Sequence, residues 1–271
     1  MRPQPEALMS DPVPPCLDEQ PVFVLTSDLD WASEACLALF LEFCSRFGIV
    51  PTLFATHASP LLDQARADGR VEVGWHPNFL PGSSHGAGTD EVLSYLRDLY
   101  PGARCYRSHS YVESSRISLA MVREGMAFDS NLCLQGQAGL RPLRHWTGMV
   151  RYPVFWEDDI HWLLGGNWDF DAQAERFFTP GLKLINVHPF NFALNVPHQD
   201  WFDQHKAHTA SLTSAEVDTA AWPGAGTASF LRQLVEAVQA RGGRFVGLGE
   251  LHDALHPGGR GQAGSGDVLA R

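Results

Sequence analysis

Positive charge is what this sequence has least of: 20 Lys and Arg stand against 31 Asp and Glu over 271 residues, a formal net charge of −11. So acidic a surface repels phosphate backbones and anionic headgroups, which argues against nucleic acid or an anionic membrane as partner and leaves a neutral sugar open. Cysteine is also scarce. The five thiols (Cys16, Cys36, Cys44, Cys105, Cys133) are odd in number and show no C-x-x-C spacing, a pattern that argues against a disulfide framework and suits a reducing compartment. No apolar run approaches the roughly 20 residues of a membrane span. The opening MRPQPEALMSDPVPP has no apolar secretory core, so the expected location is the cytoplasm.

What is present is a globular composition, 44% hydrophobic, in a chain whose length a single α/β barrel reaches. The expected organisation is a loose Pro-rich leader over 1–20, one catalytic domain over 21–256, and a Gly-rich disordered tail over 257–271. Within the domain, short apolar runs alternate with helical periodicity. Strands are expected at Pro21–Thr26, Thr52–Ala55, Val71–Trp75, Ala103–Arg107, Val150–Phe155, Lys183–Val187 and Arg244–Gly247. Helices fall between them, including Ser33–Phe47 closed by Gly48, Asp90–Leu99 capped by Thr89, Ser118–Glu124, and Ala228–Arg241. That alternation predicts a parallel sheet covered by helices, open or closed into a barrel. Pro77–Gly88 and Asn195–Thr227 interrupt it as long loops, and loops of that length in compact domains usually serve function.

Polar groups collect where the expected strands end, and in parallel α/β folds that is the catalytic face. Asp28 and Asp30 follow the first strand, His76 the third, Arg107 the fourth, Trp156 and Glu157 the sixth, and His188 the strand ending at Val187. Paired aspartates repel unless a cation lies beside them, and a carboxylate with imidazoles is a hydrolytic metal's ligand set. Each residue alone has a plainer explanation, as a turn, a cap or a core aromatic. Trp31, Trp75 and Trp156 suit the wall of a sugar pocket, although Trp75 suits the core better. His198, His205 and His208 read as solvated loop histidines.

TSDLD, VGWHP…SSH, RSHSY, VFWEDD and INVHP, in that order, resemble the five motifs of the NodB-homology polysaccharide deacetylases (carbohydrate esterase family four), and most resemble their WbmS-like glycan-biosynthesis subgroup. The resemblance spans residues 21–190 and implies a distorted (β/α) barrel of about seven parallel strands. It implies Asp28 as general base, His188 as general acid and Arg107 as the holder of the base. Asp30, His76 and His85 would bind one divalent ion, zinc by preference, with Co, Ni, Mn or Fe fitting the same donors. Trp31, Tyr111, Trp156, Glu157 and Asn191 would face the substrate. The implied activity is hydrolysis of an N-acyl amide on an amino sugar or glycan precursor. A cyclic-ureide hydrolase or a non-catalytic carbohydrate-binding relative would be alternatives on the same fold.

Four positions depart from the family pattern. Asp-Leu-Asp replaces adjacent aspartates, and His85 follows His76 by nine positions. His109 stands where the third motif has proline. Phe155 stands where an aspartate orients the acid, which leaves Glu157, Asp158 and Asp159 as substitutes for it. Oligomeric state is not legible in the sequence.

Overall fold

The computed structural model describes residues 16–257; the 257–271 tail beyond Pro257 and the first fifteen residues of the leader lie outside the described residues. The first strand, β1 (Pro21–Asp28), is buried along almost its whole length. Burial on both faces is the signature of a parallel strand with neighbours and helices all round. It pairs in parallel with β2 (Thr52–Ala55) on one side, and β3 (Glu72–Trp75), β4 (Cys105–Tyr106) and β5 (Phe128–Asp129) follow β2 in parallel. A short antiparallel strand, β6 (Leu143–Arg144), leads into β7 (Val150–Arg151), which joins β5. On its other side β1 pairs with β9 (Gly181–Asn186), and β9 pairs with β8 (Trp156–Glu157). The last strand, β10 (Phe245–Val246), lies against the lower half of β1.

The stretch 150–157 closes the sheet. Its first half bonds to the β5 side, through Tyr152 N–H to Asp129 O and Val154 N–H to Leu132 O, and its second half crosses to β9 through Phe155 N–H to Leu184 O. The result is a mostly parallel, barrel-like sheet of the kind the motifs imply, with ten strands where about seven are expected. The sequence reading of Val150–Phe155 as a single strand missed only the bend.

Helix boundaries follow their caps. Ser33 accepts from Cys36 N–H and starts Glu34–Arg46, whose Cys36, Leu37, Phe40, Leu41 and Cys44 face the core. Thr89 does not cap the next long helix as expected; it is the first helical residue, preceded by an extended Gly88. Segment 195–227 is not one irregular loop but carries helices at Gln199–His205 and Ser214–Ala220. Asn195 ties its two ends together, donating to Trp222 O and Gly224 O and accepting from Ala228 and Ser229 N–H.

The final helix, Leu248–Leu255, is capped from outside. Glu72 of β3 accepts from Gly249 N–H at 2.8 Å and Glu250 N–H at 3.3 Å, and the Thr52 hydroxyl steadies it at 2.7 Å. A Cβ on Gly249 would lie 2.9 Å from that carboxylate, so a larger residue there would displace the Glu72 side chain. A carboxylate at a helix N-terminus satisfies orphan N–H groups and the dipole together. Glu72→Ala is therefore expected to cost about 1–2 kcal/mol, a drop of roughly 2–8 °C in a thermal melt. An unchanged midpoint would refute the cap.

Candidate active site

Two tight turns aim the chemistry. Among the described residues five non-glycines have positive φ, and four of them form the pairs Asp30–Trp31 (42°, 56°) and Ser110–Tyr111 (57°, 54°). Left-handed backbone is disfavoured for side chains with a Cβ and persists where surrounding structure enforces it, often at functional sites. The first turn sets Asp30 apart from Asp28: Asp28 meets Arg107 and Asn186, Asp30 meets His109, and His76 lies between the two. The second lies at the end of β4 and presents His109 and Tyr111.

Asp28 points into the barrel. Its Oδ1 takes Arg107 Nη1 at 2.8 Å and its Oδ2 takes Asn186 Nδ2 at 3.0 Å. Arg107 is wholly buried with its guanidinium over the Phe54 ring. Its remaining N–H groups go to Ser130 O, Ser130 Oγ, Thr26 Oγ1 and Asn186 Oδ1, so all five donors of the fork are used. Burial alone would raise the Asp28 carboxyl, but the charges of Arg107, His76 and His188 together outweigh it and hold the group below its ordinary range.

Asp30 gathers imidazoles. Its Oδ1 lies 3.0 Å from both His76 Nε2 and His109 Nδ1, and its Oδ2 lies 3.6 Å from His188 Nε2. Burial opposes ionisation of Asp30, but these histidines take its carboxyl well below the usual value. Ligand atoms of Asp30, His76 and His109 lie within 4.8 Å of one another. One carboxylate and two imidazoles, drawn from three different strand ends, are donors that a borderline divalent cation takes while keeping positions open. The residues fit such an ion.

His85 is not in that group. Its ring stacks on Tyr95 at 4.8 Å, and its Nδ1 accepts from Asn78 N–H at 3.2 Å. Burial brings its pKa down to about 4. It is His109, the histidine that stands in proline's place, whose ring lies with His76 against Asp30. Trp31 sits between them, with ring centroids 5.7 Å from His85 and 5.4 Å from His109.

His188 is held from behind. Its Nδ1 lies 2.7 Å from Asp158 Oδ1, and its backbone N–H donates to Asp158 Oδ2 at 2.9 Å. Asn191 donates to the same Oδ2 at 3.2 Å and so buttresses Asp158. Burial lowers the His188 pKa, but Asp158, Asp159 and Asp30 together reverse this and lift it well above the ordinary value. Of the three acids left open by the sequence, Asp158 is the one that grips His188. Glu157 accepts from the Tyr111 hydroxyl, and burial, reinforced by Asp159, pushes its carboxyl well above the usual range.

Trp156 is corrected from pocket wall to core. It is fully buried, stacked on Phe230 at 5.0 Å, and its indole N–H donates to His161 Nδ1 at 3.2 Å. Trp75 is buried too, donating to Tyr100 O. Sequence reasoning missed Asn186 and Thr26. Their signal was available only as polar residues inside otherwise apolar strand segments.

The model of the family described as WbmS-like polysaccharide deacetylase matches residues 25–206. This chain belongs to the WbmS-like polysaccharide deacetylases. A crystal structure of WbmS from Bordetella bronchiseptica, described as a candidate polysaccharide deacetylase involved in O-antigen biosynthesis, is 31% identical, with 79% of this chain and 90% of that one covered and a TM-score of 0.72. A Streptomyces lividans family 4 carbohydrate esterase solved with acetate is 13% identical over 84% of this chain and 92% of its own, with a TM-score of 0.43. No curated protein matches the chain. Among the described residues no helix is long and apolar enough to cross a membrane.

Proposed function

We propose that the protein is a metal-dependent amidohydrolase that removes an acyl group, acetyl by preference, from the nitrogen of an amino sugar in a glycan precursor. The observation that carries this reading is the division of labour at one rim. A clamped carboxylate, Asp28, stands beside a carboxylate–imidazole cluster, Asp30, His76 and His109. A carboxylate-backed imidazole, His188, stands 3.6 Å from Asp30.

Asp30, His76 and His109 would hold the divalent ion, zinc by preference. When bound it supplies Lewis acidity toward the acyl carbonyl and water. Asp28, kept ionised by Arg107, accepts the proton of the attacking water. His188 gives a proton from Nε2 to the departing nitrogen, because Asp158 occupies Nδ1 and fixes which nitrogen faces the site. Trp31, beside the cluster, offers an aromatic face to a pyranose ring. Tyr111 and Glu157 offer a hydroxyl and a carboxyl to sugar hydroxyls. The glycan-precursor assignment is supported by the role described for the Bordetella relative and by the acidic, phosphate-averse surface. The proposed location is the cytoplasm.

Acetate release from N-acetylated amino sugars by the purified protein tests the reading. Activity is expected to vanish on dialysis against a chelator and to return with zinc or cobalt. Turnover that survives full chelation, or hydrolysis of cyclic ureides in place of N-acetyl sugars, would overturn it.

A further inference from the structure

Asn186 ends β9 and is fully buried between a cation and an anion. Its Oδ1 accepts from Arg107 Nη1 at 2.5 Å and from Thr26 Oγ1 at 2.9 Å, and its Nδ2 donates to Asp28 Oδ2 at 3.0 Å. Register places it there, because Asn186 pairs with Thr26 across the β1–β9 ladder, two residues before Asp28. The orientation of the amide is forced. Turned over, its N–H₂ would face the guanidinium and its carbonyl the carboxylate, a repulsion at both ends. An aspartate at 186 would satisfy Arg107 and repel Asp28, whereas a leucine would leave an Arg107 N–H and an Asp28 oxygen buried without partners. A side-chain amide serves both neighbours.

We infer that Asn186 is a positioning residue for the base. Arg107 grips only Oδ1 of Asp28, and a carboxylate held by one oxygen can still turn about its Cβ–Cγ bond. The Asn186 bond to Oδ2 arrives from a different strand and removes that freedom. Asp28 is thereby fixed in plane, with its remaining lone pairs directed away from both clamps. The role rests on the deacylation reading, since it concerns the aim of the base in that reaction. It also accounts for a polar residue directly after Leu184 and Ile185 at the end of β9.

The test compares wild type, Asn186→Leu and Asn186→Asp, each metal-loaded, by acetate release from an N-acetylated chito-oligosaccharide, with metal content and thermal midpoint measured on the same samples. The aspartate variant keeps the side-chain volume and the acceptors for Arg107 and Thr26, so it guards against a leucine variant that does not fold. Both folded variants are expected to lose about 10–100-fold in kcat, the scale of a small misplacement of a reacting group, with KM within about twofold and metal content unchanged. A folded variant with wild-type kcat, or a loss carried by KM, overturns the role. So does a kcat that tracks only the thermal midpoint. Wild type that releases no acetate overturns the deacylation reading and this role with it, whereas active wild type with equally active variants overturns the role alone.

Discussion

His109→Ala is expected to strip the divalent ion from the protein, while His85→Ala keeps it. Residues that merely hydrogen-bond to metal ligands cost about 10–100-fold in affinity when removed, so loss of a ligand should cost more than roughly 100-fold. His109 reaches Asp30 Oδ1 at the same 3.0 Å as His76, and the three donors come from separate strand ends. His85 has its ring against Tyr95 and its Nδ1 engaged with Asn78 N–H. Its Nε2 is buried without a hydrogen-bond partner. Reaching the cluster would require the 77–88 segment to give up those contacts. Elemental analysis and a cobalt titration of both variants decide the matter. Retention by His109→Ala with loss by His85→Ala would mean that the loop rearranges on loading and that His85 is the ligand after all.

The exchange of His109 for His85 illustrates what the sequence could carry. Position along the chain identified the strand ends, because a short apolar run such as PVFVLT suits a buried strand of a covered parallel sheet. Asp28, Asp30, His76, Arg107 and His188 followed directly, and all five come together at one rim. Loop geometry was not legible. Whether His85 or His109 turns toward Asp30 depends on left-handed turns at 30–31 and 110–111, which are set by tertiary packing and not by glycine or asparagine at those positions. Trp156 was misread for a related reason. A tryptophan beside a strand end looks the same in sequence whether its ring faces substrate or packs against Phe230, a residue more than seventy positions away. Asn186 was invisible because its meaning lies in the register between β1 and β9, not in its neighbours.

Asp28→Asn should abolish turnover with metal still bound. General-base catalysis contributes about 10²–10⁴-fold, and an amide at position 28 can neither take the proton nor form the ion pair with Arg107, while Asp30, His76 and His109 are untouched. His188→Ala should fail differently. Its Nε2 is the candidate donor to the departing nitrogen, and an amine leaves poorly unless protonated. The alanine variant should therefore lose about 10²–10⁴-fold on an N-acetyl sugar and far less on 4-nitrophenyl acetate, whose phenolate departs without a proton. Asp158→Asn should show the same selectivity more weakly, because it disturbs the tautomer and aim of His188 without removing it. Metal content must be measured on each variant, since His188 Nε2 also lies 3.6 Å from Asp30. Equal losses on amide and activated ester, with metal retained, would place His188 in substrate binding. The proton would then have to come from Glu157 or Asp159, whose carboxyls are both raised by burial, Glu157 further by Asp159 and Asp159 further by Asp158. Glu157→Gln and Asp159→Asn would next be measured for the same leaving-group selectivity.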